Sequence, residues 1–427
     1  MNIDILKLQN PWWNSSIPYV GDTEISQIKE KSFFYKNPLF KNLIIAPGDF
    51  HIIRGPRQVG KTTLLKFLID RLLIEEKFTP ENLCLLSCET IKDFSELNEI
   101  LSLWLQHRKK EFTVLLLDEI SFVTEWQRGI LALSNMGLLK KCCLIVTGSN
   151  ARDLKESSER FPGRRGSGLD LSYFPLSPLE MKTLRCFKDL PNAEIVNLYL
   201  KIGGFPHAIR DFVETGAVSD STYQTYQNWI IGDASRFQLS EEFLRHIMYR
   251  IFETFGSQIS LPKLVVTTPI KSHETALSYL EHLDDSFLTR IQYCFDLDKH
   301  GPAFHKSRKI FFVDPLLYGV AFGWKNGITK IWDTLRDRII DNSFNGRLLE
   351  SAYVCCISRG KYPTYFWYSS KLKKEIDLVI DKSDEKPAFF DCKLNPKEET
   401  NLKINNQPVK IIGIDEFVPF QNEWQRA

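Results

Sequence analysis

The chain has 427 residues, 43% hydrophobic and 25% charged, the make-up of a globular protein with room for roughly two to four domains. Its 55 Lys and Arg against 53 Asp and Glu leave a net charge of +2, which excludes a global attraction to polyanions, so any nucleic-acid surface must be local. No apolar run approaches membrane-spanning length, and Met1-Asn-Ile-Asp-Ile-Leu6 lacks the basic and long apolar stretches of a secretion signal. The nine cysteines show no paired metal-ligand spacing, and Cys142-Cys143 and Cys355-Cys356 lie in apolar runs. Reduced core thiols and a cytoplasmic location away from membranes are the expectation.

Residues 1–48 form an N-terminal segment containing Asn10-Pro-Trp-Trp13. Adjacent tryptophans either pack on a domain surface or cover a bound ligand. From 49 to 175 strands alternate with helices, which predicts an α/β core with a parallel sheet. Phe50–Arg54 reads as a buried strand and Thr63–Leu73 as a helix. Between them Gly55-Pro-Arg-Gln-Val-Gly-Lys-Thr62 fits the phosphate-loop pattern G-x-x-x-x-G-K-S/T in full.

The glycines let successive N–H groups turn towards phosphate oxygens, and the helix start adds its positive end. Candidate nucleotide-binding residues are Gly55, Pro56, Arg57, Gln58, Val59, Gly60, Lys61, Thr62 and Thr63. Lys61 would reach the β- and γ-phosphates of ATP, and Thr62 would hold Mg²⁺. Further strands are expected at Leu83–Glu89, Phe112–Leu117 and Cys142–Val146, with a helix at Phe94–Trp104. The third strand ends in Asp118-Glu119, the expected partner of a phosphate loop: Asp118 for the Mg²⁺ shell, Glu119 to polarise the attacking water. Ser149 and Asn150 end the next strand, either sensing the γ-phosphate or capping a loop. Arg164 and Arg165, in Phe161-Pro-Gly-Arg-Arg-Gly166, are either an arginine finger for a neighbouring subunit, which would imply a homo-oligomer and for which the two are equally placed, or part of a solvated loop or a phosphate contact to nucleic acid.

These stretches resemble AAA-type ATPases of archaea and bacteria that carry a C-terminal restriction-endonuclease-like domain. The likeness extends to Thr147-Gly-Ser-Asn-Ala-Arg152, Phe174-Pro-Leu-Ser-Pro-Leu-Glu180, Tyr199-Leu-Lys-Ile-Gly-Gly-Phe-Pro206 and Gly232-Asp-Ala-Ser-Arg-Phe237. It implies an AAA core (49–175), a helical lid (176–238), a winged helix (239–320) and a nuclease-like α/β domain (321–427). Arg236 in the lid is either a nucleotide sensor or a lid ion pair.

In 239–320 the sequence alone predicts three helices and a hairpin, at Phe243–Phe252, Ser260–Val265, from Ser272, and at Phe287–Phe295 with Arg308–Val313. That is the order of a winged helix, which serves either as a DNA reader, with Lys271, Ser272, His273 and Thr275 opening its recognition helix, or as a protein contact. Between Arg359 and Lys374, Lys361, Lys371 and Lys373 alternate with Tyr362, Tyr365, Phe366, Trp367 and Tyr368, either a stacking surface for nucleic acid or a core strand with a solvated turn. Further on, Glu375–Ile380 and Ala388–Lys393 form an acidic hairpin. Asp391 and Lys393 share one strand face, and Asp377 can lie beside them. Asp377 and Asp391, with Glu350 from the preceding helix, would hold Mg²⁺, and Lys393 would orient a water. This resembles the acid, then D/E-x-K, pattern of restriction-endonuclease-like folds, with Asp391 where Glu is commoner.

The expected function is an ATP-hydrolysing ATPase acting on DNA, branched or single-stranded, with a Mg²⁺-dependent nuclease site. Two alternatives stand beside it. One is an ATP-driven remodeller or binder of branched DNA that does not cut. The other is an ATP-dependent signalling switch working through protein partners.

Overall fold

Four short aliphatic runs become the strands β1 (Phe50–Arg54), β2 (Leu83–Ser87), β3 (Thr113–Asp118) and β4 (Cys142–Gly148), and β5 (Asp170–Ser172) joins them. The order across the sheet is β2-β3-β4-β1-β5, and every pairing is parallel. β3 and β4 are buried along their whole length, as parallel strands covered on both faces must be. On one face Leu115, Leu117 and Val146 pack with Trp104 and Trp126; on the other Leu116 and Ile145 pack with Leu64 and Leu68. The computed structural model describes the chain apart from residues 1–2, 15–19, 31–32, 34, 36, 39, 41–42, 109–110, 150–160, 162, 164, 339–341, 383–384, 395–401 and 427. It divides into two compact units, Met1–Phe174 and Pro175–Ala427.

In the first unit the N-terminal segment covers the β2 edge of the sheet. Asn10 bonds both the N–H and the carbonyl of Leu85, at 2.7 and 2.8 Å, and Gln9 accepts from the Ser87 N–H at 2.8 Å. The indoles of Trp12 and Trp13 both donate to the Leu83 carbonyl. Side chains thus satisfy an edge that would otherwise pair with another chain. The tryptophans sit at the first residue of β2, the end of the sheet away from the phosphate loop, so covering the nucleotide is not their role.

The second unit begins with the helices Pro178–Met181, Asn192–Ile202, Pro206–Thr215 and Asp220–Arg236. Next come Glu241–Glu253, Leu261–Val265 and His273–Asp285, then an antiparallel pair of β6 (Thr289–Tyr293) and β9 (Arg308–Phe312). A smaller pair, β7 (Phe295–Asp296) and β8 (Gly301–Pro302), lies between those strands in sequence. Ser272 caps its helix by accepting from the N–H groups of Glu274 and Thr275, whereas Ser260 holds the cap position without a capping bond.

Helices Pro315–Asn326, Ile331–Arg338 and Asn342–Ile357 lead into the last sheet. It comprises β10 (Thr364–Ser369), β11 (Lys374–Ile380), β12 (Ala388–Cys392), β13 (Lys403–Ile404) and β14 (Gln407–Ile412), in the order β10-β11-β12-β14-β13. The β12–β14 pairing is parallel and the others antiparallel. Helix Phe417–Arg426 follows, with Phe420 and Trp424 against Phe390 of β12.

The division into units, at 174/175, lies one residue from the expected boundary at 175/176. The expected boundary at 320/321 does not survive, because it cuts the helix Pro315–Asn326. Every residue from Leu316 to Gly323 in that helix is buried, and a helix apolar all round has to sit inside a core. Tyr318 stacks on Phe252, and Phe322 lies 5.9 Å from the same ring. Asp314 caps the helix through the Leu316 N–H and also accepts from Gly204 N–H at 2.8 Å. The Gly203-Gly204 pair is therefore structural: Gly203 has φ +73°, and a Cβ there would collide with Asp314 Oδ1. Three of the expected domains share one packed unit.

Candidate functional site

β1 delivers the chain to the phosphate loop at Gly55, where a Cβ would collide with the Tyr173 carbonyl. Gly60 closes the loop at φ +101° and caps the helix Lys61–Asp70. Val59 anchors the loop in the core, and the Arg57 guanidinium lies 5.1 Å from the centre of the Phe122 ring. Lys61 is almost wholly buried. Its ammonium donates to the carbonyls of Gly55 and Pro56 at 3.0 and 2.9 Å and meets Glu119 at 3.0 Å.

Thr62 donates to Asp118 Oδ2 at 2.6 Å. Thr147 donates to the other oxygen, Oδ1, at 2.5 Å, and its hydroxyl accepts from the Glu119 N–H at 2.9 Å. Burial pushes the Asp118 carboxyl above the ordinary carboxylate range, against the two hydroxyl bonds that favour its charge. Glu119 sits at φ +52°, a left-handed conformation that costs a non-glycine residue energy and here aims its carboxylate at Lys61.

These residues fit a magnesium nucleotide by a specific observation. Glu119 Oε2 and Ser149 Oγ are buried, and neither has a hydrogen-bond partner among the described residues. Such atoms ordinarily have partners, and a phosphate with its waters supplies both donors and acceptors.

The expected arginines have partners of their own where they are described. Arg165 donates to both oxygens of Asp170 and to the Phe50 carbonyl. Phe50 opens β1, so Arg165 is tied to the opposite end of that strand from the phosphate loop. Arg164, Asn150 and Arg152 lie outside the described residues. In the second unit, the Arg236 guanidinium stands 5.3 Å from the centre of the Phe237 ring.

A second constellation lies wholly within the second unit. β11 carries Asp377 next to Asp391 of β12, because Leu378 pairs with Phe390. Asp377 Oδ2 accepts from the Cys392 N–H at 3.0 Å, and Lys393 lies 3.2 Å from Asp391. Burial and the neighbouring Asp377 raise Asp391 to about 6, and burial pushes Glu350 up to about 8. Glu350, Glu375 and Asp377 bring carboxylate oxygens within 4.8 Å of one another.

Lys309 of β9, fully buried, places its ammonium among them: 2.5 Å from Glu350, 2.5 Å from Glu375 and 3.5 Å from Asp377. The carboxylates hold Lys309 charged, above its ordinary range. Glu375 keeps a third of its side chain in solvent, whereas Glu350 is buried. Arg359, counted in the basic stretch, is instead buried on the Pro175 carbonyl. Phe366 and Trp367 are core residues of β10, as a core strand requires, whereas Tyr368 of the same strand is exposed.

Residues 48–182 match the family model described as an AAA domain. The chain carries an AAA-type P-loop ATPase core. Residues 193–327 match a domain of unknown function (DUF8612), and no curated protein matches the chain. Among solved structures it is similar to the Aeropyrum pernix ORC2 protein, at 12% identity over 74% of this chain and 97% of that one, with a TM-score of 0.36. Aeropyrum pernix ORC1, solved in complex with DNA, gives 12%, 73%, 95% and 0.36. Thermotoga maritima RuvB gives 16%, 62%, 87% and 0.30. No helix among the described residues is long and apolar enough to cross a membrane.

Sequence reasoning missed one residue of the AAA core. Thr147 looked like the start of a loop, but β4 continues through Gly148, and that extension sets its hydroxyl between the two acids. It also missed Lys309 and Glu375. Glu375 lies two residues from Asp377, hence on the same strand face. A lysine inside Arg308-Lys-Ile-Phe-Phe312 was itself a signal, since a charge in an apolar strand must find opposite charge.

Proposed function

We propose that the protein hydrolyses ATP at the phosphate loop and uses the cycle to act on DNA. The convergence of Lys61, Thr62, Asp118 and Glu119 carries the first part. Loop N–H groups and Lys61 would bind the phosphates, and Thr62 with Asp118 would hold Mg²⁺. Magnesium, when bound, supplies charge neutralisation on the phosphate oxygens. In the ATP-bound state Lys61 exchanges its bonds to Gly55, Pro56 and Glu119 for phosphate oxygens. That frees Glu119 to accept a proton from an attacking water, while Thr147 keeps the Asp118 and Glu119 backbone in register. Ser149 would donate to the γ-phosphate or the water.

The DNA role is supported by the second constellation. Asp377, Asp391 and Glu350 would hold a divalent cation that polarises a phosphodiester, and Lys393 would orient the water. In the same reading 176–238 acts as the lid, and His273–Asp285 as the recognition helix of a winged helix. A homo-oligomer follows if Arg164 reaches a neighbouring subunit's nucleotide.

A non-cleaving DNA binder or remodeller is the second reading, favoured by the Lys309 ammonium that stands among the acids. ATP turnover with single-stranded, duplex and branched DNA tests the proposal, and Asp391→Ala with Lys393→Ala separates the two readings. Cleavage lost with ATP hydrolysis kept supports the nuclease; no cleavage by the parent chain supports the binder. Turnover indifferent to every DNA would favour a switch acting through protein partners.

A further inference from the structure

Lys309 is a buried charge in the interior of the second unit. Its side chain has no solvent exposure, and three carboxylates from two other elements surround its ammonium: Glu350 from helix Asn342–Ile357, Glu375 and Asp377 from β11. The Phe366 ring stands 5.7 Å away on a further side.

The strand pair that carries Lys309 is pinned in place around it. Arg290 of β6 donates to the Ser358 hydroxyl and carbonyl, both at 3.0 Å. Gln292, opposite Lys309 in the β6–β9 register, donates to the Asp377 carbonyl at 3.0 Å. Gln258 fixes the far oxygen of Glu375 at 2.5 Å.

We infer that the Lys309 ammonium occupies the cation position of the Glu350–Glu375–Asp377 cluster, so that lysine and a divalent cation exclude one another there. The inference rests on the reading of Glu350 and Asp377 as cation ligands, and adds that the chain carries its own plug for them. An ammonium 2.5 Å from two of the oxygens leaves a metal ion no room to bind both. A divalent ion brought in beside it would meet an unscreened positive charge in a low-dielectric pocket. The Arg290 and Gln292 bonds hold in place the strand pair that carries Lys309, so a metal ion that enters the cluster has to displace the ammonium.

The test is Mn²⁺ binding to the full chain without nucleotide, read by calorimetry, for the parent, Lys309→Met and Lys309→Met with Asp377→Asn. The inference predicts that Lys309→Met gains one Mn²⁺ site, about tenfold or more tighter than any the parent shows, and that adding Asp377→Asn removes it. Equal binding by parent and Lys309→Met overturns the inference while leaving a metal-dependent nuclease possible. Binding by neither overturns it together with the metal-site reading. Should Lys309→Met fail to fold alone, recovery of its cooperative thermal transition with Mn²⁺ but not with Na⁺ reads the same exchange; no recovery with Mn²⁺ overturns it.

Discussion

The Thr147 hydroxyl donates to Asp118 Oδ1 at 2.5 Å while the Glu119 N–H donates back to it at 2.9 Å, so one side chain of β4 sets the positions of both acids at the end of β3. Thr147→Val keeps the shape and deletes both bonds. It leaves a buried carboxylate one donor short, a loss of roughly 1–3 kcal/mol. Steady-state ATP hydrolysis should show kcat lowered about tenfold or more, with a much smaller change in KM. A change confined to KM would mean that Thr147 does not act through the acids.

Lys61 and Glu119 meet in an ion pair and should nonetheless fail differently. Lys61→Ala removes a phosphate ligand, so ATP affinity should weaken by roughly ten- to a hundredfold. Glu119→Gln should keep that affinity and lose turnover by about 10²–10⁴. Titration with a fluorescent ATP analogue alongside a phosphate-release assay distinguishes the two; parallel losses in both variants would contradict the assigned roles.

Gly203 meets Asp314 so closely that a Cβ cannot be inserted, and its φ of +73° is one that side chains resist. Gly203→Ala should displace Asp314 from its cap on Leu316 and from the Gly204 N–H. The cost should be about 3 kcal/mol, from strain and the lost cap together, seen as a lower Tm with the AAA core still binding ATP.

Asp314 also makes a pH prediction. Burial pushes its carboxyl from 3.8 up to about 6, outweighing the two N–H groups that favour its charge. The folded state therefore binds the proton more tightly than the unfolded chain. Stability contributed here is full below about pH 4, falls as pH rises towards about 6, and is level above that. Thermal melts at pH 4.5 and pH 7 should show a smaller drop in Tm for Asp314→Asn than for the parent.

The AAA core was legible because its signals are local. Strand, phosphate loop and helix are contiguous in sequence, and Asp118-Glu119 follow directly from an apolar run. The Thr62–Asp118 bond joins two residues that both motifs had already named. What sequence did not reveal depends on distant pairings. Arg165 looked like a free arginine on a glycine loop, yet it pairs with Asp170 and with the start of β1. Arg359 looked like part of a basic surface and is buried on a backbone carbonyl. Lys309 meets Glu350 only because β9 lies against the helix Asn342–Ile357, and no local period encodes that. The 320/321 boundary failed for a similar reason: Asp314 and Gly204, 110 positions apart, are one hydrogen bond from each other.

The most direct measurement is ATP turnover with Mg²⁺ by the parent chain and by Glu119→Gln, each without DNA and with single-stranded, duplex and branched DNA. The account predicts turnover by the parent, stimulation by at least one DNA structure, and loss of about 10²-fold or more in Glu119→Gln on every substrate. Turnover that Glu119→Gln leaves intact and that no DNA alters would contradict it.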